Sequence, residues 1–300
     1  MKVLLTGGSG FIGRHLLEAL RTQHEVFAPT HSQLDITDSA EVDRVLRQHK
    51  YDAALHAAIQ GGPAVLDSTL RGFWNLARNA EQLDRVIYFG SGAEYGKHRD
   101  LIKVSEREIG KEVPRDPYGF AKLVCNSMCR RSSNVLNLRL FGVYGPYEGY
   151  TAKFISNAVA KTLLGIPVVI RQNVVFDYLW IDDLVRIVSH FLTGERTAGD
   201  LNTTPTDSAS LTAIAALVLR EAGRNAGNFK TELPGLNFQY TGDNAELLQR
   251  CPGLTFTGIE DGVHQLFEYY RTRIESLDSD QLTADDYRRR CVTREGEKPS

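Results

Sequence analysis

An α/β fold, with a doubly wound parallel sheet and a smaller, mostly C-terminal α/β lobe, is what this sequence predicts, and three observations predict it. Short apolar runs alternate with amphipathic segments through the first 140 residues. Glycines stand at positions 7, 10 and 13, between the first apolar run and the first amphipathic segment. The alternation then changes character after Gly145-Pro146. Strands that recur with helices between them pair in parallel, because the chain must cross back over the sheet each time.

The first run, Lys2 to Leu5, reads as a strand and is followed by a helix from about Phe11. Glu25 to Ala28 and Ala53 to Leu55 read as further strands, with a helix from about Ser39 between them. A helical stretch from about Val65 to Glu81, a strand Arg85 to Phe89, a helix from about Tyr118 and a strand Val135 to Leu140 continue the pattern. Beyond Gly145 come a helix near Phe154 to Leu163, a β-rich run Val168 to Val175, and a helix opened by Asp182-Asp183, which read as its N-terminal cap and first-turn charge. The expected division is 1–145 plus about 176–205 for the sheet domain and about 146–175 plus 206–275 for the lobe. The polar stretch 276–300 is expected to be a frayed or wrapping tail.

Composition narrows the function. With 42% apolar residues in 300, the chain can bury a full core. Its 35 basic and 37 acidic residues are interspersed and give a net charge of -2, so no basic field exists to attract nucleic acid. No stretch approaches the roughly 20 apolar residues that a bilayer span requires, and MKVLLTGGSG reaches glycine too early for a signal peptide. A cytoplasmic protein with no membrane partner is expected. Cys125, Cys129, Cys251 and Cys291 form no dense framework and lack the nearby partners of a metal site, so reduced thiols and no metal are expected.

The glycine loop carries the first chemistry. Gly7, Gly10 and Gly13, followed by Phe11, Ile12 and Arg14 of the first helix, form a turn that brings backbone N–H groups to a pyrophosphate. A plain strand-to-helix turn is the alternative, and the position directly after the first strand favours the dinucleotide. A carboxylate at the end of the second strand would bind a ribose 2′-hydroxyl, but that strand ends Ala28-Pro29-Thr30-His31-Ser32. Thr30, His31, Ser32 and Arg14 are therefore read as the surroundings of a 2′-phosphate, which makes NADP(H) the expected form and NAD(H) the alternative. Asp35 and Ile36 are placed against the adenine, with a turn cap as the rival role for Asp35.

Tyr118 and Lys122 stand four residues apart, on one helical face, where a positive charge favours the phenolate and suits the tyrosine to proton exchange with a carbonyl or carbinol oxygen. Taken alone, such a pair is more often a solvated helix edge. Ser91, in the glycine-rich turn Gly90-Ser91-Gly92 that ends a strand, can donate a hydrogen bond to the same oxygen; backbone capping is the ordinary alternative.

TGGSGFIG, LDITD, HAA, GSGAEYG, YGFAK and LRLFGVYGP, in that order, resemble the successive motifs of the extended short-chain dehydrogenases/reductases over about residues 1 to 245. The resemblance implies a Rossmann-like domain holding a nicotinamide dinucleotide, with Ala57 and Ala58 against it. It implies a Ser91, Tyr118 and Lys122 triad, Lys122 also holding the nicotinamide ribose, and a small-molecule substrate, a nucleotide sugar, near Ser91, Gly92 and Ala93. Dehydrating members carry an Asp-Glu pair where this chain has Gly92 and Ala93, and Glu94 comes one position late. The run His56 to Gly62 with Gly90-Ser91 is similar to GDP-fucose synthase-like reductases, but their epimerising cysteine and histidine are absent: Ala93 takes the first position, and Tyr147 to Thr151 holds no histidine. A 4-ketoreductase of a nucleotide-linked deoxysugar is expected, with a 4-epimerase as close alternative and a non-catalytic dinucleotide-binding protein as the alternative from another class. An arginine that binds diphosphate in many relatives is Phe176 here, so Arg171 or Lys153 is expected to substitute. A homodimer is expected through helices carrying Phe73, Leu76, Leu123 and Met128; burial of these against the sheet is the alternative.

Overall fold

Every apolar run of the first half becomes a strand in the computed structural model, which describes residues 1–294; residues 295–300, the end of the expected tail, lie outside the described residues. In chain order the first half holds β1 (Lys2–Thr6), α1 (Phe11–Leu20), β2 (Glu25–Phe27), α2 (Ser39–His49), β3 (Ala53–His56), α3 (Val65–Ala77), β4 (Arg85–Ser91), β5 (Leu101–Val104), α4 (Pro117–Cys129), β6 (Val135–Leu140) and β7 (Gly142–Tyr144). The second half holds α5 (Phe154–Leu164), β8 (Val168–Asn173), β9 (Val175–Phe176), β10 (Tyr178–Trp180), α6 (Ile181–Thr193), β11 (Gly199–Thr203), β12 (Ala209–Ser210), α7 (Leu211–Glu221), β13 (Phe229–Leu236), β14 (Tyr240–Gly242), α8 (Ala245–Arg250), α9 (Ile259–Arg271), α10 (Ser279–Ala284) and α11 (Asp286–Arg290).

Six parallel strands form the main sheet in the order β2-β1-β3-β4-β6-β11. The chain leaves β1 toward β2 on one side and returns as β3 on the other, which opens a crevice beyond their C-terminal ends. Successive residues of β1 point to opposite faces: Val3 and Leu5 join one core with Leu16 and Leu20 of α1 and Ile187 of α6, whereas Leu4 joins a second core with Val42 of α2, Phe73 of α3 and Cys125 of α4. Both faces of the sheet are thus covered by helices, the doubly wound arrangement that the alternation predicts.

Phe73 and Leu76 are fully buried in the second core, so for these two residues the sheet, not a partner, accounts for the apolar face. On the same helices it is Trp74 (54% exposed) and Phe120 (41%) that face outward. Asp182 and Asp183 both lie in the first turn of α6, but its cap position is Trp180 and neither carboxylate caps the helix. Asp183 instead receives Thr257 N and Oγ1 at 2.8 and 2.9 Å.

The smaller sheets carry the lobe. The β-rich run after Gly165 splits into β8, which pairs in parallel with β13, and β9, which lies between β12 and β14 in the order β12-β9-β14-β5. Strand β5 belongs to the first half of the chain, yet it pairs with β14, with Tyr240 opposite Leu101.

The polar tail is folded as far as residue 294. Leu282 is fully buried, Lys161 and Asp285 form a buried ion pair at 2.7 Å, and Arg294 reaches Asp100 at 2.6 Å while lying over the Phe238 ring. These partners are far away in sequence, and together they convert a charged stretch into a wall of the lobe. Among the described residues, no helix is long and apolar enough to cross a membrane.

Candidate active site

Strand β1 ends at Thr6 and the chain turns at Gly7, whose φ of +77° suits glycine. A side chain there would meet Ala58 N at 2.6 Å, and one at Gly13 would meet the Gly7 carbonyl oxygen at 2.0 Å. The turn therefore packs backbone against backbone and leaves the N-terminus of α1 open. Gly10 is the cap residue, no side chain caps it, and the first turn carries no acidic residue. An unshielded helix N-terminus behind a glycine turn fits a pyrophosphate, so the cradle suits a dinucleotide.

Gly7, Gly10, Phe11, Ile12, Gly13, His31, Ile36, Ala57 and Ala58 line one cleft of about 360 Å³ beyond β1 and β3. Arg14, Thr30, Ser32 and Asp35, also expected at the cofactor, are not among the residues that line this cleft. Arg14 is exposed and lies over the Tyr147 ring, 5.0 Å from its centroid. Thr30 and Ser32 are exposed and hydrogen-bond to each other at 3.0 Å, with Thr30 also donating to Gln33 Oε1. Asp35 accepts from Thr37 N and Oγ1, which hold its carboxyl below the usual range; it has the turn-capping role. It also lies 3.9 Å from His31 Nε2, placing a negative charge where a 2′-phosphate was expected.

The cleft continues into a second space bounded by Ala57, Ala58, Ser91, Tyr118, Lys122, Glu148 and Lys153. Ser91 ends β4, and Tyr118 and Lys122 lie in the first two turns of α4, which Asp116 caps through Gly119 N at 2.8 Å. Lys122 is buried, donates to the Phe89 carbonyl at 2.7 Å and lies 4.4 Å from the Tyr88 ring centroid and 5.7 Å from that of Tyr118. Burial lowers its ammonium to about 8. For Tyr118, burial raises the phenol above its ordinary value, and the Ser91 hydroxyl pulls it back; in this arrangement the serine, not the lysine, is the group that opposes burial.

Gly92 and Ala93 are buried and do not border this space. A side chain at Gly92 would meet Tyr240 Oη at 2.7 Å and Phe141 at 2.8 Å, so these aromatic rings pack against the turn at Gly92. Glu94 points inward. Its carboxylate accepts from Ser91 N at 3.0 Å and from Arg139 Nε at 2.7 Å, with both partners of the ion pair fully buried.

Lys153 borders the triad space, whereas Arg171 lies elsewhere. Arg171 lines a separate cavity together with Phe176 and Tyr240, and is paired with Glu232 at 3.1 Å. Three residues at the site have no place in the motif reading. Tyr240 Oη lies 3.4 Å from Ser91 Oγ, and Lys97 lies 5.8 Å from the Tyr118 ring centroid. Glu148 is 6% exposed and receives Ser156 Oγ at 2.6 Å. Tyr240 is 149 positions from Ser91, too far for any local pattern to connect them. Lys97 and Glu148 directly follow recognisable motifs, GSGAEYG and YGPY, and that adjacency was the available signal.

Burial raises the Glu148 carboxyl from 4.5 to about 7. The folded chain therefore keeps a proton there that the unfolded chain releases near 4.5, so stability falls as pH rises across that window. Glu148→Gln should flatten this fall, read as Tm against pH. An unchanged slope in the variant would assign the dependence to another group.

An open helix N-terminus at a glycine turn, joined by one cleft to a serine, tyrosine and lysine at the end of a parallel strand, defines a dinucleotide-dependent enzyme of the Rossmann type. Residues 3–202 match the model of the NAD dependent epimerase/dehydratase family, and the chain belongs to that family. UDP-glucose 4-epimerase of Azospirillum brasilense is 30% identical over 167 residues, 46% of each chain. Two solved structures share the fold along most of their length. One is dTDP-glucose 4,6-dehydratase of Bacillus anthracis in complex with NAD, at 17% identity and TM-score 0.79, covering 92% of this chain and 98% of that one. The other is a GDP-L-fucose synthetase of Naegleria fowleri bound to NADP, at 14% identity and TM-score 0.76, covering 92% and 95%.

Proposed function

We propose that this protein is an oxidoreductase of nucleotide sugars, a 4-ketoreductase of a nucleotide-linked deoxysugar. The observation that carries the reading is the border of the triad space: Ser91, Tyr118 and Lys122 face it, whereas Gly92 and Ala93 are buried and Glu94 is held by Arg139. Elimination of water needs a free acid and base at those positions, and neither is present there.

The nicotinamide, when bound, supplies or removes a hydride at the carbinol carbon. Tyr118 gives its proton to the carbonyl oxygen, and Ser91 steadies that oxygen with a hydrogen bond. Lys122, fixed by the Phe89 carbonyl, stands 5.7 Å from the Tyr118 ring centroid, where it would reach the ribose of a bound nicotinamide. Gly7, Gly10 and Gly13 would hold the pyrophosphate, and Ile36, Ala57 and Ala58, which line the same cleft, would bound the rest of the dinucleotide.

Of the four side chains expected around a 2′-phosphate, only His31 lines the cleft, and Asp35 lies beside it. The charge argument for NADP(H) over NAD(H) is thereby removed, and the cofactor is read as a nicotinamide dinucleotide of either kind. We read the chain as 1–145 with about 176–205 for the cofactor and about 146–175 with 206–275 for the substrate, β5 being lent to the second unit. A homodimer is part of the same proposal, supported by Trp74 and Phe120 outward on packed neighbouring helices. So is a cytoplasmic place, supported by four cysteines that are all free.

A second reading, 4-epimerisation, is favoured by the likeness to a UDP-glucose 4-epimerase and uses the same three residues. Glu148 and Lys153 also weaken the expectation that no second acid–base pair exists, since both border the triad space. Turnover of 4-keto sugar nucleotides in deuterated water separates these outcomes. A 4-ketoreductase should consume one NAD(P)H per alcohol formed and place no deuterium at the flanking carbons. Interconversion of two 4-hydroxy sugars without net cofactor consumption would establish the epimerase. Enzyme-dependent deuterium beside the new alcohol would implicate Glu148 and Lys153.

A further inference from the structure

Ser91 is held from three sides, and one of the holds comes from the far end of the chain. Glu94 accepts from the Ser91 main-chain N at 3.0 Å, and Ala93 N donates to Ser91 Oγ at 3.2 Å. The third neighbour is Tyr240 Oη, 3.4 Å from the same Oγ. Tyr240 is buried, and its hydroxyl makes no other hydrogen bond among the described residues.

Backbone and rings together fix where that phenol points. Strand β14 lies between β9 and β5, with Tyr240 opposite Phe176 on one side and Leu101 on the other. The Phe141 and Phe176 rings pack 5.1 and 5.3 Å from the Tyr240 ring, centroid to centroid. A Cβ at position 92 would stand 2.7 Å from Tyr240 Oη, so the glycine directly after Ser91 is what leaves the hydroxyl room to reach the serine. The Ser91 hydroxyl opposes the upward push of burial on the phenols of both Tyr118 and Tyr240, as a group standing between the two would.

A serine hydroxyl has one hydrogen to donate and two lone pairs that accept. Ala93 N fills one lone pair. A buried phenol requires a partner for its own hydrogen, and Ser91 Oγ is the one that Tyr240 has. With Tyr240 donating, both lone pairs are filled, and the Ser91 hydrogen is left for the space that Ser91 borders with Tyr118 and Lys122. In the reverse arrangement the serine would direct its hydrogen at Tyr240 and have none for a substrate. We infer that Tyr240 is a positioning residue for Ser91: by donating to Ser91 Oγ it turns the serine hydrogen toward the substrate carbonyl oxygen that Tyr118 protonates. A separation of 3.4 Å is longer than the roughly 2.7–2.8 Å usual between hydroxyls, and hydrogen bonds of a reaction site commonly tighten once the substrate is in place. This inference rests on the reading of Ser91, Tyr118 and Lys122 given above, and it adds to those three a side chain from the lobe.

The test uses the full chain with NAD(P)H and, as substrates, 4-keto-6-deoxyhexoses linked to UDP, dTDP and GDP. Tyr240→Phe keeps the ring between Phe141 and Phe176 and should lower kcat by about three- to tenfold, the scale of one neutral hydrogen bond. KM and NAD(P)H affinity should stay unchanged, the latter showing that the variant is folded. In a Ser91→Ala background the same substitution should produce no further loss, because the hydroxyl through which Tyr240 acts is gone. A loss of equal size in both backgrounds would show that Tyr240 acts by packing and would overturn the inference, as would an unaltered rate in Tyr240→Phe. Either result leaves the triad reading intact. Full activity of Ser91→Ala, or no turnover of any of the three substrates by the unaltered chain, would overturn that reading and this inference with it.

Discussion

Tyr118→Phe is expected to lower turnover by about 100-fold to 10,000-fold, the range that general acid–base catalysis supplies, while leaving cofactor affinity unchanged. The ring sits in the first turn of α4 between the Lys97 and Lys122 ammonium groups, and removing its hydroxyl changes no packing contact of that ring. What is lost is the proton that must reach the carbonyl oxygen as the new C–H bond forms. Tyr240, whose hydroxyl is also near Ser91, is the side chain best placed to substitute, and burial raises its phenol as it raises that of Tyr118. Loss of nicotinamide absorbance in single turnover measures the effect, and fluorescence titration measures affinity. A variant within a few-fold of the unaltered rate would remove Tyr118 from the chemistry, with Tyr240 next to be tested.

Arg139→Leu should be the most damaging change to stability, costing about 3–5 kcal/mol, as expected when one member of a buried ion pair is removed. Arg139 is fully buried; its Nε donates to Glu94, and a second nitrogen donates to Tyr95 Oη and Asn202 Oδ1 at 3.1 and 3.0 Å. It also pairs with Asp200. Burial alone would favour losing its proton, and the carboxylates of Glu94 and Asp200 outweigh that cost. Asp200 would keep Arg130 at 2.6 Å, but Glu94 would become a buried carboxylate with no cation. Glu94→Gln added to Arg139→Leu should therefore recover much of the loss in urea denaturation, since the stranded charge is gone. Equal instability of the single and double variants would mean that lost packing, not the charge, dominates.

How legible these features were depended on the range of the interaction behind them. The sheet, its helices and the glycine turn were readable because strand and helix periods are local, and Val3, Leu4 and Leu5 declare their faces by neighbouring positions alone. Which residues line the cleft was only half readable: Gly7 to Gly13 follow from the turn, but Arg14 lies over Tyr147, over a hundred residues later. The tail was legible only as far as the choice between fraying and wrapping: it wraps as far as residue 294, where Arg288 meets Glu232 and Arg294 meets Asp100, partners that composition does not reveal. Gly92 is placed at the substrate by motif position, and the rings packed against it come from Phe141 and Tyr240.

The pairing of β5 with β14 determines how the molecule can breathe. Leu101 N bonds to the Gln239 carbonyl at 2.9 Å, Asp243 N bonds to the Val104 carbonyl at 2.9 Å, and Tyr240 lies between them. A hinge that swung the lobe away as one body would first have to break this ladder, so the gap between Tyr240 and Tyr118 acts as a fixed gauge. Entry and exit of a ligand are then left to the rim, where side chains and the wrapped tail can part without unzipping main chain, and a longer or shorter molecule meets a rigid frame instead of one that adjusts to it.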